Sequence, residues 1–166
     1  RRSRSGRNYS TDQLINFLYM ERTCILMKPD ALQRNLLGEI VRRFELKGLK
    51  IIGLKMLQVS DLKLEEHYAH HKDKPFFVGL KQFMQSAPIV AMVLEGVDAV
   101  DAVRTIVGPT KGRTAPAGTI RGDLAMSQQA NLIHASDSKE SAEKEIWRFF
   151  NADEIFSYDK MDSVWV

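Results

Sequence analysis

Two short, wholly apolar runs constrain the chain most. Cys24-Ile-Leu-Met27 and Ile89-Val-Ala-Met-Val-Leu94 carry no polar residue. A strand with one wet face alternates in polarity, so runs this short read as strands buried on both sides. The first sits in Arg22 to Lys28 and ends at Pro29, with Asp30 placed to cap the next element. Leu49 to Val59 is β-rich and partly alternating, a further strand, and Asn131 to His134 closes with a fourth. Between them the spacing turns helical. Leu37, Ile40, Val41, Phe44 and Leu46 mark one helix, with Gly48 as its stop. Asp61 to His71 predicts a helix opening on an Asp cap, and Phe76 to Met84 another with Phe76, Leu80 and Phe83 on one face. Ala99 to Val107 and Ser138 to Phe150 complete the set. Such alternation fits a doubly wound parallel sheet or an α+β split βαβ sandwich, and the pattern does not choose between them.

The length of 166 residues and a 44% hydrophobic content suit one domain with a real core. No apolar run is long enough to span a bilayer. Net charge is +3, yet Arg1, Arg2, Arg4 and Arg7 all precede the first acidic residue, Asp12. Without the first ten residues, 20 basic groups face 21 acidic ones, so the basic balance belongs to an arm and not to a nucleic-acid-binding face. Residues 1–19 form that arm, and 20–166 the domain. The chain opens on Arg rather than Met, and Met20 begins the first patterned segment. The arm reads as a non-native or disordered extension, with a transit-peptide remnant or a weak electrostatic tether as alternatives. One cysteine, Cys24, allows no internal disulfide and points to a reducing compartment. The cytoplasm is expected, or an organelle if the arm is a transit remnant.

Asn131-Leu-Ile-His134-Ala-Ser-Asp-Ser138 delivers one histidine at the end of a buried strand, followed at once by small polar residues. Asp137 and Glu140 fit a capping box. His134 then stands beside a helix N-terminus, where backbone N–H groups favour an anion such as phosphate. Locally, a satisfied structural histidine fits as well.

Gly108 to Asp123 has no clear periodicity but holds three glycines before Arg121, the cations Lys111, Arg113 and Arg121, and the hydroxyls of Thr110, Thr114 and Thr119. Arginine presents bidentate donors to phosphate, and glycine permits close backbone approach. The stretch is no P-loop, since G-x-x-x-x-G-K-[ST] is absent. An irregular segment this long is uncommon unless functional, though a solvated loop is the plainer reading. Glu145 borders the inward face marked by Ala142, Ile146 and Phe149, and needs a partner or water there. His134 is a candidate, because a carboxylate fixes the imidazole tautomer and raises the nucleophilicity of the free nitrogen. A rim glutamate is the alternative. His67 and His71 are four apart on one helical face, but no HExxH or CxxC supports a metal, and a solvated face is expected.

Taken together, Lys28-Pro-Asp30, His67-Tyr68, Lys74-Pro-Phe-Phe77, Gly108-Pro-Thr110, Gly118-Thr-Ile-Arg-Gly-Asp123 and Asn131 to Ser138 resemble the nucleoside diphosphate kinase family, in order and spacing from Glu21 onward. The resemblance implies a ferredoxin-like α+β fold with a four-stranded antiparallel sheet and surrounding helices. It implies a ping-pong reaction in which His134 takes the γ-phosphate of ATP or another nucleoside triphosphate as phosphohistidine and passes it to a nucleoside diphosphate. By the same resemblance Glu145 and Ser136 orient the histidine, and Tyr68 and Lys28 lie near the transferring group. Arg104, Thr110 and Arg121 hold phosphates with His71, while Lys28 and Asn131 bind sugar hydroxyls. Phe76 stacks on the base beside Leu80. Mg2+ is expected on the nucleotide phosphates and not in a protein cage. A homo-oligomer, with a hexamer favoured, is implied, with no membrane and no specific nucleic acid as partner.

Three positions depart from the family. Ala135 stands where glycine is more frequent, so φ there is expected to stay negative. Gln128 replaces a more often apolar residue near the base, which bears on base preference. Lys111 to Ala117 differs most, with Gly112 where many hexameric members carry proline, and this weakens the hexamer expectation. The competing function is a regulatory or scaffolding homologue that binds nucleotide without turnover. The presence of His134, Lys28, Tyr68, Arg104, Thr110, Arg121, Asn131 and Glu145 disfavours it.

Overall fold

In the computed structural model, which describes residues 20–160, both apolar runs lie in the middle of one sheet. The strands are β1 (Met20–Met27), β2 (Lys50–Leu57), β3 (Ile89–Val97) and β4 (Ile133–Ala135), in the order β2-β3-β1-β4 with every neighbouring pair antiparallel. The choice that sequence pattern leaves open therefore falls to the α+β split sandwich. The expectation for residues 1–19 lies outside the described residues.

The helices are α1 (Pro29–Gln33), α2 (Leu37–Leu46), α3 (Asp61–His67), α4 (Phe77–Gln85), α5 (Ala99–Val107), α6 (Ile120–Leu124) and α7 (Lys139–Phe149). Period-two alternation sorts the central strands onto two cores. Ile25 and Met27 of β1, with Val90, Met92 and Leu94 of β3, pack with Ile40 and Phe44 of α2 and Val103 and Val107 of α5. Cys24 and Leu26, with Ile89, Ala91 and Val93, face α3, α4 and α7 through Leu64, Leu80, Met84, Ile146 and Phe149. Helices on both faces are why β1 and β3 tolerate no polar residue at these positions. Each fully buried Leu, Ile or Phe contributes about 1.5–3 kcal/mol of transfer free energy. β2 is an edge strand, and Leu54 and Met56 on it remain exposed.

Several local expectations shift. α3 is capped by Ser60, not Asp61, and ends at His67, with a separate 3-10 turn over Ala69–His71. α7 is capped by Ser138, whose hydroxyl accepts from the Ser141 N–H, so the Asp137–Glu140 capping box does not form. Ser138 is one residue closer to the helix and reaches the same orphan donors. Pro29 opens α1 instead of merely ending a strand, and Asp30 lies inside that helix. The segment from Gly108 to Asp123 is partly regular, with a 3-10 turn at Gly112–Thr114 and the start of α6. Two of its glycines are required by close packing. A Cβ on Gly112 would meet the Ala125 carbonyl, and one on Gly122 the Pro116 carbonyl. Among the described residues, no helix is long and apolar enough to cross a membrane.

Candidate active site

β4 pairs with β1 so that His134 lies opposite Leu26. Directly opposed residues of an antiparallel pair point to the same face. Leu26 belongs to the core under α3, α4 and α7, so the imidazole is delivered toward those helices. There the Nε2 of His134 lies 3.0 and 2.9 Å from the two oxygens of Glu145 on α7. Glu145 falls in the buried stripe Ala142, Glu145, Ile146 and Phe149, so the rim alternative does not hold. Ser136 is fully buried behind it and donates its hydroxyl to Glu145 Oε2 at 2.6 Å. The Ser136 hydroxyl oxygen in turn accepts the Cys24 N–H at 3.2 Å, which fixes Ser136 to β1. Facing only carboxylate acceptors, Nε2 carries the proton, and Nδ1 keeps the lone pair. Ala135 is absent from the positive-φ residues, as expected, so the histidine is not displaced.

His134 opens onto a cavity of about 1050 Å³. Lys28, Tyr68, His71, Phe76, Leu80, Arg104, Thr110, Arg121, Asn131 and Glu145 are among the residues that line it. Of the residues expected at the site, only Ser136 lies behind the wall. Five cations, Lys28, Arg104, Arg121, Lys144 and Arg148, face this space, against the carboxylates Glu66, Asp137 and Glu145. The balance suits a multiply charged anion.

Lys28 stands between β1 and α1 as the N-cap of that helix, and its ammonium donates to Asn131 Oδ1 at 2.7 Å. Burial first, then the Arg121 charge, lower its pKa to about 8, with Asp30 acting in the opposite direction. The Asn131 amide nitrogen donates to the carbonyls of Thr110 and Gln128, tying two loops together, while its oxygen keeps a second lone pair for an incoming hydroxyl. Arg121 on α6 donates to the carbonyls of Gly108, Asn131 and Ile133. Two of its five N–H groups remain for a ligand. Burial, then Arg104, lower its pKa to about 10. Burial and the Glu145 charge push the Tyr68 phenol well up, so it stays protonated and can donate. Phe76, half exposed at the start of α4, stands edge-on to His71 with ring centres 5.3 Å apart, and Leu80 is buried one turn on.

One histidine departs from its sequence expectation. His67 is not on a solvated face but buried, its ring 4.5 Å from those of Tyr68 and His134 and 5.3 Å from Phe149. Its Nδ1 lies 3.4 Å from Arg148 Nη1 and 3.9 Å from Glu145 Oε1, and its buried Nε2 has no partner. Burial, then the neighbouring His134, hold it well below the usual histidine range, so it is neutral. Leu64, an apolar residue three before His67 and so on the same side of the helix, is the signal that sequence offers for this. With His134 and Glu145 it forms, among the described residues, a donor group whose atoms lie within 4.8 Å of one another. The cations around the cavity favour an anion there instead.

The approach to His134 is strained. Leu132 is fully buried with φ of +72°, and the Ile133 N–H donates back to the Asn131 carbonyl at 2.9 Å. An i to i+2 bond around a positive φ is a γ-turn of the rare kind, and such a conformation costs about 1–3 kcal/mol in a residue other than glycine.

Comparisons with known proteins place the chain in a family. The family model described as nucleoside diphosphate kinase matches residues 21–155. A nucleoside diphosphate kinase of Staphylothermus marinus is 56% identical over 138 residues, covering 83% of this chain and 98% of that protein. One from Parabacteroides distasonis is 54% identical over 140 residues, covering 84% and 92%. Among solved structures, a halophilic nucleoside diphosphate kinase from Halobacterium salinarum in complex with CDP superposes with a TM-score of 0.85 at 47% identity, covering 87% of this chain and 97% of that one. With identities near one half over most of both chains, this chain belongs to the nucleoside diphosphate kinase family of phosphotransferases.

Proposed function

We propose that the protein transfers the γ-phosphate of ATP, or of another nucleoside triphosphate, to a nucleoside diphosphate through a phosphohistidine at His134. The observation that carries this reading is the His134–Glu145 pair, which protonates Nε2 and leaves Nδ1 free at a cation-lined cavity. The Nδ1 lone pair attacks the γ-phosphorus, and the bond from phosphorus to the β–γ bridging oxygen breaks. The nucleoside diphosphate leaves with that electron pair. The imidazole keeps its Nε2 proton throughout, so the ring becomes positive beside Glu145 and no proton need move. A terminal oxygen of a second nucleoside diphosphate then attacks the phosphohistidine and restores Nδ1. One site serves donor and acceptor in turn, which is a ping-pong cycle. Positioning and charge stabilisation carry most of such a transfer.

Ser136 orients Glu145. Lys28 and Tyr68 stand near the transferring group, and Arg104, Thr110 and Arg121, with His71, hold the phosphates. Lys28 and Asn131 meet the sugar hydroxyls. Phe76 stacks on the base with Leu80 beside it, and stacking tolerates different bases. Gln128 lines the same cavity and adjusts base preference. Mg2+ fits this donor set as an ion carried in by the nucleotide. Glu145 is engaged by His134 and Ser136, and Asp137 by the hydroxyls of Ser141 and Ser138. Of the cavity's three carboxylates only Glu66 remains, too few for a protein cage, and the phosphate oxygens are the principal ligands. When bound, the ion neutralises charge on those oxygens.

We assign a homo-oligomer, with a hexamer favoured, supported by the exposed apolar side chains on the β2 edge. The buried free thiol of Cys24 supports a reducing compartment such as the cytoplasm.

The test uses γ-labelled ATP with magnesium, removal of nucleotide, then addition of GDP. Acid-labile label on the protein that chases into GTP, and is absent in His134→Ala, is the expected result. ATP binding without labelling would overturn the relay and leave the nucleotide-binding, non-catalytic homologue in its place.

A further inference from the structure

We propose that Asp30 is a positioning residue for the transfer. Its carboxylate holds the strained γ-turn at Leu132 from which His134 and Asn131 are presented.

The turn is gripped at both backbone polar groups of Leu132 and at the carbonyls that flank it. The Leu132 N–H donates to Asp30 Oδ2 at 3.0 Å, and the Leu132 carbonyl accepts the Lys28 N–H at 2.8 Å. On either side, Arg121 takes the carbonyls of Asn131 and Ile133. Asp30 reaches Leu132 because Pro29 starts α1 directly after β1 and puts the carboxylate in its first turn. The bond is buried at both ends, where a backbone N–H without an acceptor is costly. A buried leucine does not hold a positive φ unless its surroundings over-determine it. Of the three grips, Asp30 is the only side chain that accepts from the Leu132 N–H.

The position of this turn gives it functional weight. Asn131, one residue before it, takes the Lys28 ammonium, and His134 follows two residues after it. A relaxed Leu132 would rotate both away from the cavity. Asp30 itself does not line that cavity, so its loss acts through these groups. It also has an electrostatic route, because its charge favours the protonated form of Lys28. The two routes separate by chemistry. Asparagine keeps an acceptor at the same place and loses the charge, whereas glutamate keeps the charge and moves the acceptor by one methylene.

The proposal rests on His134 being the phosphoryl carrier, so the first arm is wild-type labelling by γ-labelled ATP. A wild type that takes no label would defeat that underlying reading. With labelling established, Asp30→Ala and Asp30→Glu should each slow phosphorylation at saturating ATP by about 10- to 100-fold, the scale on which small misplacements act. Asp30→Asn should stay within about threefold of wild type, with its nucleotide dissociation constant barely moved. If Asp30→Ala does not fold, the Asn and Glu pair carries the comparison. A slow Asn variant with a fast Glu variant would replace the hydrogen bond by the charge on Lys28. Full rate in both Ala and Glu variants would remove Asp30 from the machinery.

Discussion

His134 and Glu145 meet through one imidazole nitrogen and both carboxylate oxygens, at 3.0 and 2.9 Å. The contact joins the last strand of the sheet to the helix after it, over eleven residues of chain. Ser136 completes it from below by filling another lone pair on Oε2. A buried carboxylate is costly unless its lone pairs are satisfied, and here they are satisfied by the group it has to orient.

Glu145→Gln tests the direction of that control. A glutamine can turn its NH2 toward Nε2 and favour the tautomer with the proton on Nδ1, where the nucleophile must be bare. Phosphorylation of His134 should fall by about 100-fold while nucleotide affinity stays near wild type. Ser136→Ala leaves Glu145 with its imidazole partner and should cost about tenfold or less. Single-turnover labelling and equilibrium nucleotide titration measure the two quantities separately.

His67 separates packing from chemistry. Its ring is wedged among Tyr68, His134 and Phe149, and its Nε2 is buried without a partner. His67→Phe keeps an aromatic ring, slightly larger, and removes the orphan polar atom together with the Arg148 contact, opposing effects that should change stability by about 2 kcal/mol or less. His67→Ala opens a cavity against His134 and should cost about 2–4 kcal/mol. Denaturant unfolding of the two variants gives both numbers.

The parts of the fold legible in the sequence have short-range causes. The fully apolar runs of β1 and β3 identify central strands because burial on two faces leaves no room for a polar residue. Helical spacing locates α2, α5 and α7 for the same reason. Strand order is not legible from periodicity, since α2 passes over β3 to join β1 and β2, a relation between residues far apart in the chain. The site shows the same division. His134 and Glu145 sit around a strand-to-helix junction that can be read locally, whereas the roles of His67 and Asp30 depend on contacts with Glu145 and Leu132 that exist only after folding. A positive φ at a leucine has no signal in its own residue type.

The β2 edge carries a prediction about assembly. Leu54 and Met56 are 54% and 61% exposed on a strand with one unpaired side, an arrangement that invites pairing with another chain. Leu54→Lys with Met56→Lys should lower the assembled mass at micromolar concentration and leave the unfolding of the separate chain cooperative. Sedimentation velocity reads the first effect. An unchanged mass would move the subunit interface elsewhere.

Lys28 couples pH to binding and to stability with opposite signs. Its ammonium loses the proton near pH 8 in the ligand-free protein, because burial and Arg121 disfavour the charge. Above that pH the free site has one cation fewer for phosphate, so kcat/KM for the nucleoside triphosphate should fall. A bound phosphate favours the protonated amine, so kcat should hold to higher pH. Stability depends on the folded and unfolded values. The folded pKa is below the ordinary 10.5, so between about pH 8 and 10.5 the unfolded chain binds a proton that the folded one does not. Unfolding free energy from this group therefore rises with pH across that window, by an amount on the order of a few kcal/mol. Lys28→Met removes the titration, and the difference in unfolding free energy between the two proteins isolates it. Relative to Lys28→Met, the wild type should gain stability as pH rises through the window while its kcat/KM declines. No gain in stability over Lys28→Met across the window, with kcat/KM holding, would mean that Lys28 stays charged in the fold and that its burial costs it no proton.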